Sequence, residues 1–400
     1  MNQAPVKSLQ VVHSLGMGGA ETWLMEVLRL WSKTGEGTMD FLLTGGQRGI
    51  FDDEASSLGA KLHYVPFGKR SIPRFRREFR KLLRDGKYDV LHDHQDYISG
   101  WHFMFGGRCL PGIRVTHVHN ASHQILNNYG VSLRRRISSQ LGKMLVRRYV
   151  THIAGTSNQL IREYGFSEAM FGEVPKSAVY CGFDQSRFAG DRAEARQRLL
   201  EELGWPEDSC IILYAGRIDR SPDPDHPLTS KNSGFAVDVA IASALKEPRI
   251  RMILAGKPSD ATPMLEARAQ RAGVGDRIRF LGIRHDIEAL MKASDLLLFP
   301  SRGEGLGMVA VEAQSAGLPV LMSTGVPEES IVVPELVTRK DLKDGVESWS
   351  GEVIHMAMRR KPVTLTEANR KVEASLFSLR NSATALRQLY TNGSLPESES

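Results

Sequence analysis

Residues 304 to 320, EGLGMVAVEAQSAGLPV, set Glu304 and Glu312 on either side of a pair of glycines. Carboxylates in that pattern can exchange a proton with a substrate, accept from a ligand rich in hydroxyls, or occupy the wet face of a helix. The preceding run, DLLLFPS (295–301), predicts a buried strand, and MVAVEAQSAG predicts a helix that begins near Met308 and is capped by Gly317. Glu304 is then on a loop and Glu312 on a helix. Gly305, Leu306, Gly307 and Met308 open that helix, and the backbone amides of such a start suit a nucleotide diphosphate.

Other polar residues stand at the ends of apolar runs. GMGGAE (16–21) follows the first predicted strand, but Glu21 occupies the third glycine position of a dinucleotide fingerprint, which disfavours a nicotinamide enzyme. Gly18 and Gly19 still permit close backbone approach to a phosphate or sugar oxygen, or simply form a tight turn. Arg217, in YAGRI, offers a fork of donors matched to phosphate oxygens. HDHQD (92–96) places His92 and His94 at another strand end, as candidates for acceptor contact or as ordinary surface polarity, and THVHN places His119 and Asn120 at a third. No His/Cys/Asp cluster has convincing metal-ligand spacing, and DPD (223–225) lies in a Pro-rich loop, so no metal is expected.

Strands and helices must position these groups. Short apolar runs alternate with amphipathic ones over the whole 400 residues, pausing near 185–207 and then restarting. That alternation predicts two Rossmann-like α/β domains with parallel sheets facing one another across a cleft, residues 1–188 and 189–400. Net charge is +6, and residues 1–188 carry the excess, with 25 Lys+Arg against 16 Asp+Glu. The basic residues concentrate at 68–87 and 132–149; in the latter Leu133, Ile137, Leu141 and Leu145 recur at helical spacing beneath an arginine-rich face. Such a helix fits an anionic membrane surface, an anionic substrate or plain solvent. Nucleic acid is disfavoured, because stacking aromatics are not interleaved with the charges. Three scattered cysteines, no secretory leader and no membrane-length apolar run predict a cytoplasmic protein, peripheral at most on the inner face of a membrane.

Several of these motifs, taken in order, resemble the family 4 glycosyltransferases of GT-B fold. VTHVHNAS (115–122), IAGTSN (153–158), YCGFD (180–184), YAGRI (214–218), ILAGK (253–257), FLG (280–282), DLLLFPS and EGLGMVAVEAQSAGLPV carry the resemblance, which spans about residues 9–390 and is nearest to bacterial exopolysaccharide and capsule enzymes. The resemblance implies a retaining, metal-independent hexosyltransferase that needs no cofactor and takes a nucleotide-diphosphate sugar as substrate. It implies a saccharide or lipid-linked acceptor bound by the first domain, where His94 and Asn120 are candidates. It implies His119 at the reacting centre, Glu304 on the donor sugar, Glu312 on the ribose, and Arg217 with Lys231 on the leaving diphosphate. The segment 377–390 resembles a terminal helix that returns to the first domain. The chain departs from the pattern twice, at Cys181 and in the insertion RSPDPDHPLTS before Lys231. Those departures keep a non-catalytic nucleotide-sugar-binding protein of the same fold as the alternative. A glycoside hydrolase would also use two carboxylates, but has no need of a phosphate-type loop between them.

Overall fold

A computed structural model describes residues 4–16, 18–121, 133–226, 229–359, 361–393 and 395. The chain divides into two compact units: Met1–Asp184 together with Leu376–Ser400, and Gln185–Ser375. Each is built on one parallel sheet.

The first unit contains β1 (Val6–Val12), β2 (Gly37–Leu43), β3 (Leu62–Tyr64), β4 (Val90–Asp93), β5 (Ile113–Val118), β6 (His152–Gly155) and β7 (Lys176–Ala178). They lie in the order β3-β2-β1-β4-β5-β6-β7, every pair parallel. The second unit contains β8 (Cys210–Ala215), β9 (Ile250–Ala255), β10 (Ile278–Gly282), β11 (Leu296–Phe299), β12 (Val320–Ser323) and β13 (Val337–Lys340), ordered β10-β9-β8-β11-β12-β13 and again all parallel. The central strands are buried along their length, β4, β8 and β11 without a single exposed residue. Helices cover both faces of such strands, so apolar runs replace the alternation of a one-sided sheet. Polar side chains that must meet a ligand are left to the strand ends. In each unit the strand order reverses once, between β1 and β4 and between β8 and β11, and the crevice at such a reversal is where open α/β sheets bind ligands.

The terminal helix Leu379–Asn392 belongs to the first unit. Its Ser382 accepts from the indole of Trp23 at 2.8 Å and donates to the carbonyl of Tyr180 at 2.6 Å. Backbone bonds between Phe183 and both Phe377 and Leu379 fasten its entry.

The basic helix Leu133–Tyr149 forms where its pattern predicts a helix, and most of its leucine stripe stays out of the core. Leu133, Ile137 and Leu141 are exposed, as is Met144, while Leu145 is half-buried and the buried positions of the helix are Gly142, Lys143 and Val146. Small residues decide the face. A Cβ on Gly142 would stand 2.5 Å from the carbonyl oxygen of Tyr97, and one on Gly100 would stand 2.3 Å from that of Gly142. The helix turns this glycine inward to approach Ile98–Gly106 closely, which leaves the leucine stripe outside. Among the described residues no helix is long and apolar enough to cross a membrane.

Candidate active site

At the reversal in the second unit, β8 ends at Ala215 and leads to Arg217, while β11 ends at Phe299 and leads through Pro300 to Glu304. Lys231 reaches Glu304 with both carboxylate oxygens 2.7 Å from its Nζ. The glutamate side chain is 9% exposed and the lysine 26%, so the pair stands at the edge of the interior with its ammonium toward solvent. Arg217 donates to the Ser230 hydroxyl at 3.1 Å, one residue from Lys231. The structure thus brings Arg217, Lys231 and Glu304 together despite the insertion.

Asp219 makes this possible. It is 2% exposed, and its Oδ1 accepts from the backbone amides of Ser230 at 3.1 Å and Lys231 at 3.2 Å, while Oδ2 accepts from that of Ser233 at 3.2 Å. These amides open the helix Ser233–Lys246, whose own cap residue Asn232 has a left-handed backbone and makes no side-chain cap bond. Asp219 caps from another segment, so the chain after the insertion returns to a fixed place. Arg302 closes the other side, pairing with Asp225 at 3.0 Å and with the carbonyl of Pro224. Sequence reasoning missed Asp219. Its only signal is a carboxylate two residues after Arg217.

The loop 304–307 and the helix Met308–Ser315 follow the reading of the sequence. Gly307 has φ +90°, and a Cβ there would meet Val326 at 2.8 Å, so the position requires glycine. Leu306 is buried, and Gly305 and Met308 flank it at the helix mouth. Glu312 lies on this helix, partly buried. Desolvation pushes its carboxyl up to about 7; Arg187 draws it down and Glu288 raises it further.

In the first unit, Gly18 and Gly19 follow β1 and open the helix Gly19–Thr34. Gly19 has open space where a Cβ would stand, whereas a Cβ on Gly18 would meet the Glu21 carboxylate. The ends of β4 and β5 carry a stack of imidazoles. His92 and His94 lie with ring centroids 4.1 Å apart, and His117 and His119 with theirs 4.0 Å apart. His94 uses both ring nitrogens inside the unit, Nδ1 with His119 Nε2 at 2.8 Å and Nε2 with Gln10 Oε1 at 3.0 Å. That leaves it no ring nitrogen for an acceptor. Burial pushes His119 down to about 3, so its imidazole is neutral at neutral pH, with one nitrogen protonated and the other a bare acceptor. Asn120 bonds the side chain of Asp96, a residue with φ +50° whose carboxyl burial raises to about 7.

His92, His94 and His117 are also the one group among the described residues whose side-chain nitrogens lie close enough to hold a metal, within 4.8 Å of one another. Those nitrogens already bond one another, Gln10 and Tyr390, with His92 Nε2 at 3.1 Å from His117 Nδ1. Hydrogen bonds account for their approach. Cys181 is buried beside Glu21, and its thiol is pushed up to about 12, which removes it as a nucleophile.

Comparison with known proteins places both units. Residues 17–176 match the family model described as Glycosyltransferase Family 4, and residues 210–348 match that described as Glycosyl transferases group 1. The chain is 27% identical to the glycosyltransferase EpsF of Bacillus subtilis (strain 168), over 90% of each protein. It is 24% identical to the capsular polysaccharide biosynthesis glycosyltransferase CapH of Staphylococcus aureus, over 98% of this chain and all of CapH. Among solved structures, Anabaena Alr3699/HepE in complex with UDP superposes with a TM-score of 0.75 at 16% identity, covering 97% of this chain and 100% of that one.

The raised carboxyl of Glu312 predicts a pH-dependent cost. Unfolded, it ionises near 4.5; folded, near 7, so the native state is weakened as pH rises from 4.5 through 7 and stays weakened above. Glu312→Gln, which cannot ionise, should be more stable than the wild type above pH 7 by up to about 3 kcal/mol. The gap should vanish in acid. Denaturant unfolding of the two proteins across that range checks it.

Proposed function

The chain belongs to glycosyltransferase family 4 and has the GT-B fold, and on that premise we propose that it moves a sugar from a nucleotide diphosphate to a hydroxyl acceptor with retention of anomeric configuration. The observation that carries this reading is the meeting of Lys231, Arg217 and Glu304 where β8 and β11 part. A departing diphosphate needs positive charge, and two cations borne by the chain supply it without a metal. Glu304 holds Lys231, and each of its oxygens keeps a second lone pair for a sugar hydroxyl. The amides at the mouth of the helix Met308–Ser315 suit the phosphates, and Glu312 one turn further suits the ribose. Hydroxyls donating to Glu312 would restore the solvation that burial took from it and draw its carboxyl back toward ionisation.

His119 would stand at the reacting centre as a neutral acceptor that orients a sugar hydroxyl. No cofactor enters this chemistry. The leaving phosphate takes the acceptor's proton on the same face, so the protein contributes position and charge rather than a covalent nucleophile. The solved complexes of HepE with UDP and UDP-glucose support a nucleotide hexose as donor. The names of EpsF and CapH support an acceptor in exopolysaccharide or capsule assembly, either a growing saccharide or its lipid-linked form.

The outward stripe of Leu133, Ile137, Leu141 and Met144, flanked by exposed Arg134, Arg136, Arg147 and Arg148, fits the inner leaflet on which a lipid-linked acceptor would sit. Apolar side chains can enter the headgroup boundary while arginines meet anionic lipid.

Incubation with UDP-, GDP- and ADP-sugars and a saccharide acceptor should give a glycosylated product from one donor. Glu304→Ala should lower turnover by roughly a hundredfold with the melting temperature kept; unchanged turnover in this variant would sink the site assignment. Co-sedimentation should retain the protein on phosphatidylglycerol vesicles at low salt and release it at high salt. Ile137→Glu with Met144→Glu should abolish that retention, and equal binding to neutral vesicles would contradict the lipid reading.

A further inference from the structure

The imidazole stack does more than fill the sheet's edge, because its proton order can be deduced. Ser8 Oγ lies 3.1 Å from the carbonyl oxygen of Thr38, which can only accept, so the Ser8 hydroxyl donates there. Its oxygen then accepts from Gln10 Nε2 at 2.9 Å. The second hydrogen of that amide goes to the Tyr390 hydroxyl, also at 2.9 Å. With its NH2 group turned this way, Gln10 presents Oε1 to His94 Nε2, and that nitrogen must carry the proton. A neutral His94 is then bare at Nδ1, so the 2.8 Å bond to His119 has its hydrogen on His119 Nε2.

The other arm runs in the same sense. Tyr390, having accepted from Gln10, donates to His92 Nδ1 at 2.5 Å. His92 Nε2 therefore carries a proton and donates to His117 Nδ1 at 3.1 Å. His117 is left with its proton on Nε2, a buried atom without a hydrogen-bond partner among the described residues, in a ring set edge-on to Trp23 at 5.7 Å. Rotating the Gln10 amide would reverse every tautomer in both arms. It would also turn the Ser8 hydroxyl away from Thr38 and leave one buried amide hydrogen unpaired, so the first order is the stable one. All four rings are held neutral by burial, as the deduction requires.

We propose that Gln10 and Tyr390, through His94, are positioning residues that lock His119 as its Nε2–H tautomer, so that Nδ1 is the lone pair it offers to a sugar hydroxyl. The inference rests on the role given to His119 above. It also assigns a purpose to the terminal helix: Tyr390, 298 residues from His92, completes the order of protons at the ends of β4 and β5. Asn at position 94 can still offer an acceptor where His94 Nδ1 stood, and Leu cannot.

The test is nuclear magnetic resonance of the full chain labelled with 15N-histidine, reading couplings across the N–H···N bonds. The expected spectrum has a proton on His119 Nε2 coupled to His94 Nδ1, and one on His92 Nε2 coupled to His117 Nδ1. A proton on His94 Nδ1, or no coupling between these rings, overturns the proposal whatever the enzyme turns over. In turnover assays, His94→Leu should lose roughly tenfold in kcat at unchanged donor KM, and His94→Asn should recover most of it. Full activity in His94→Leu, or an Asn variant no better than the Leu one, also overturns the positioning role. The expected protons in a protein inactive on every nucleotide sugar would support the proton order and overturn the reading of His119 instead.

Discussion

A parallel sheet covered by helices on both faces has almost nowhere to keep a polar side chain except the ends of its strands, and in this protein that constraint acts twice. β4, β8 and β11 are buried throughout, so the residues proposed to meet ligand collect at strand ends, near where β1 parts from β4 and where β8 parts from β11. In the second unit the ends hold Arg217 and Glu304; in the first they hold Gly18, Gly19 and His119, with His94 bonded to His119. The chemistry proposed for the chain needs a charged half for a diphosphate and a neutral, orienting half for a sugar hydroxyl. Burial supplies the second by keeping the imidazoles uncharged.

Charge where β8 parts from β11 is fixed by a buried carboxylate rather than by the cations themselves. Asp219 satisfies the amides that open the helix Ser233–Lys246, and in doing so delivers Lys231 to Glu304. The insertion RSPDPDHPLTS is therefore tolerated: Asp219 and the backbone amide of Arg302 hold its last residue, Ser230, and the Arg302 side chain holds its middle at Pro224 and Asp225. Cys181, the other departure from the family pattern, is a buried thiol held far from ionisation, so it adds no nucleophile.

What could be read from the sequence was local. DLLLFPS followed by EGLGMVAVEAQSAG announces strand, loop and helix within twenty or so residues, and Glu304 and Glu312 fall where those signals put them. Arg217 at the end of YAGRI is legible for the same reason. The histidine relay is not, because its bonds join residues 25, 84 and 298 positions apart and no periodicity links Gln10 to Tyr390. Asp219 hid in the same way, its role resting on side-chain bonds to backbone amides 11 to 14 residues on. The helix Leu133–Tyr149 shows a different limit. Its leucine spacing is helical, but spacing alone does not say which face is buried, and the close approach of Gly100 and Gly142 turned the other face inward.

In the proposed reaction the crevice between β8 and β11 receives a nucleoside diphosphate. Isothermal titration of the whole protein with UDP, GDP and ADP, repeated on Arg217→Ala, tests it most directly. One diphosphate should bind the wild type, and the loss of a paired guanidinium should weaken it by at least about tenfold. Binding of equal strength in the variant would contradict the claim.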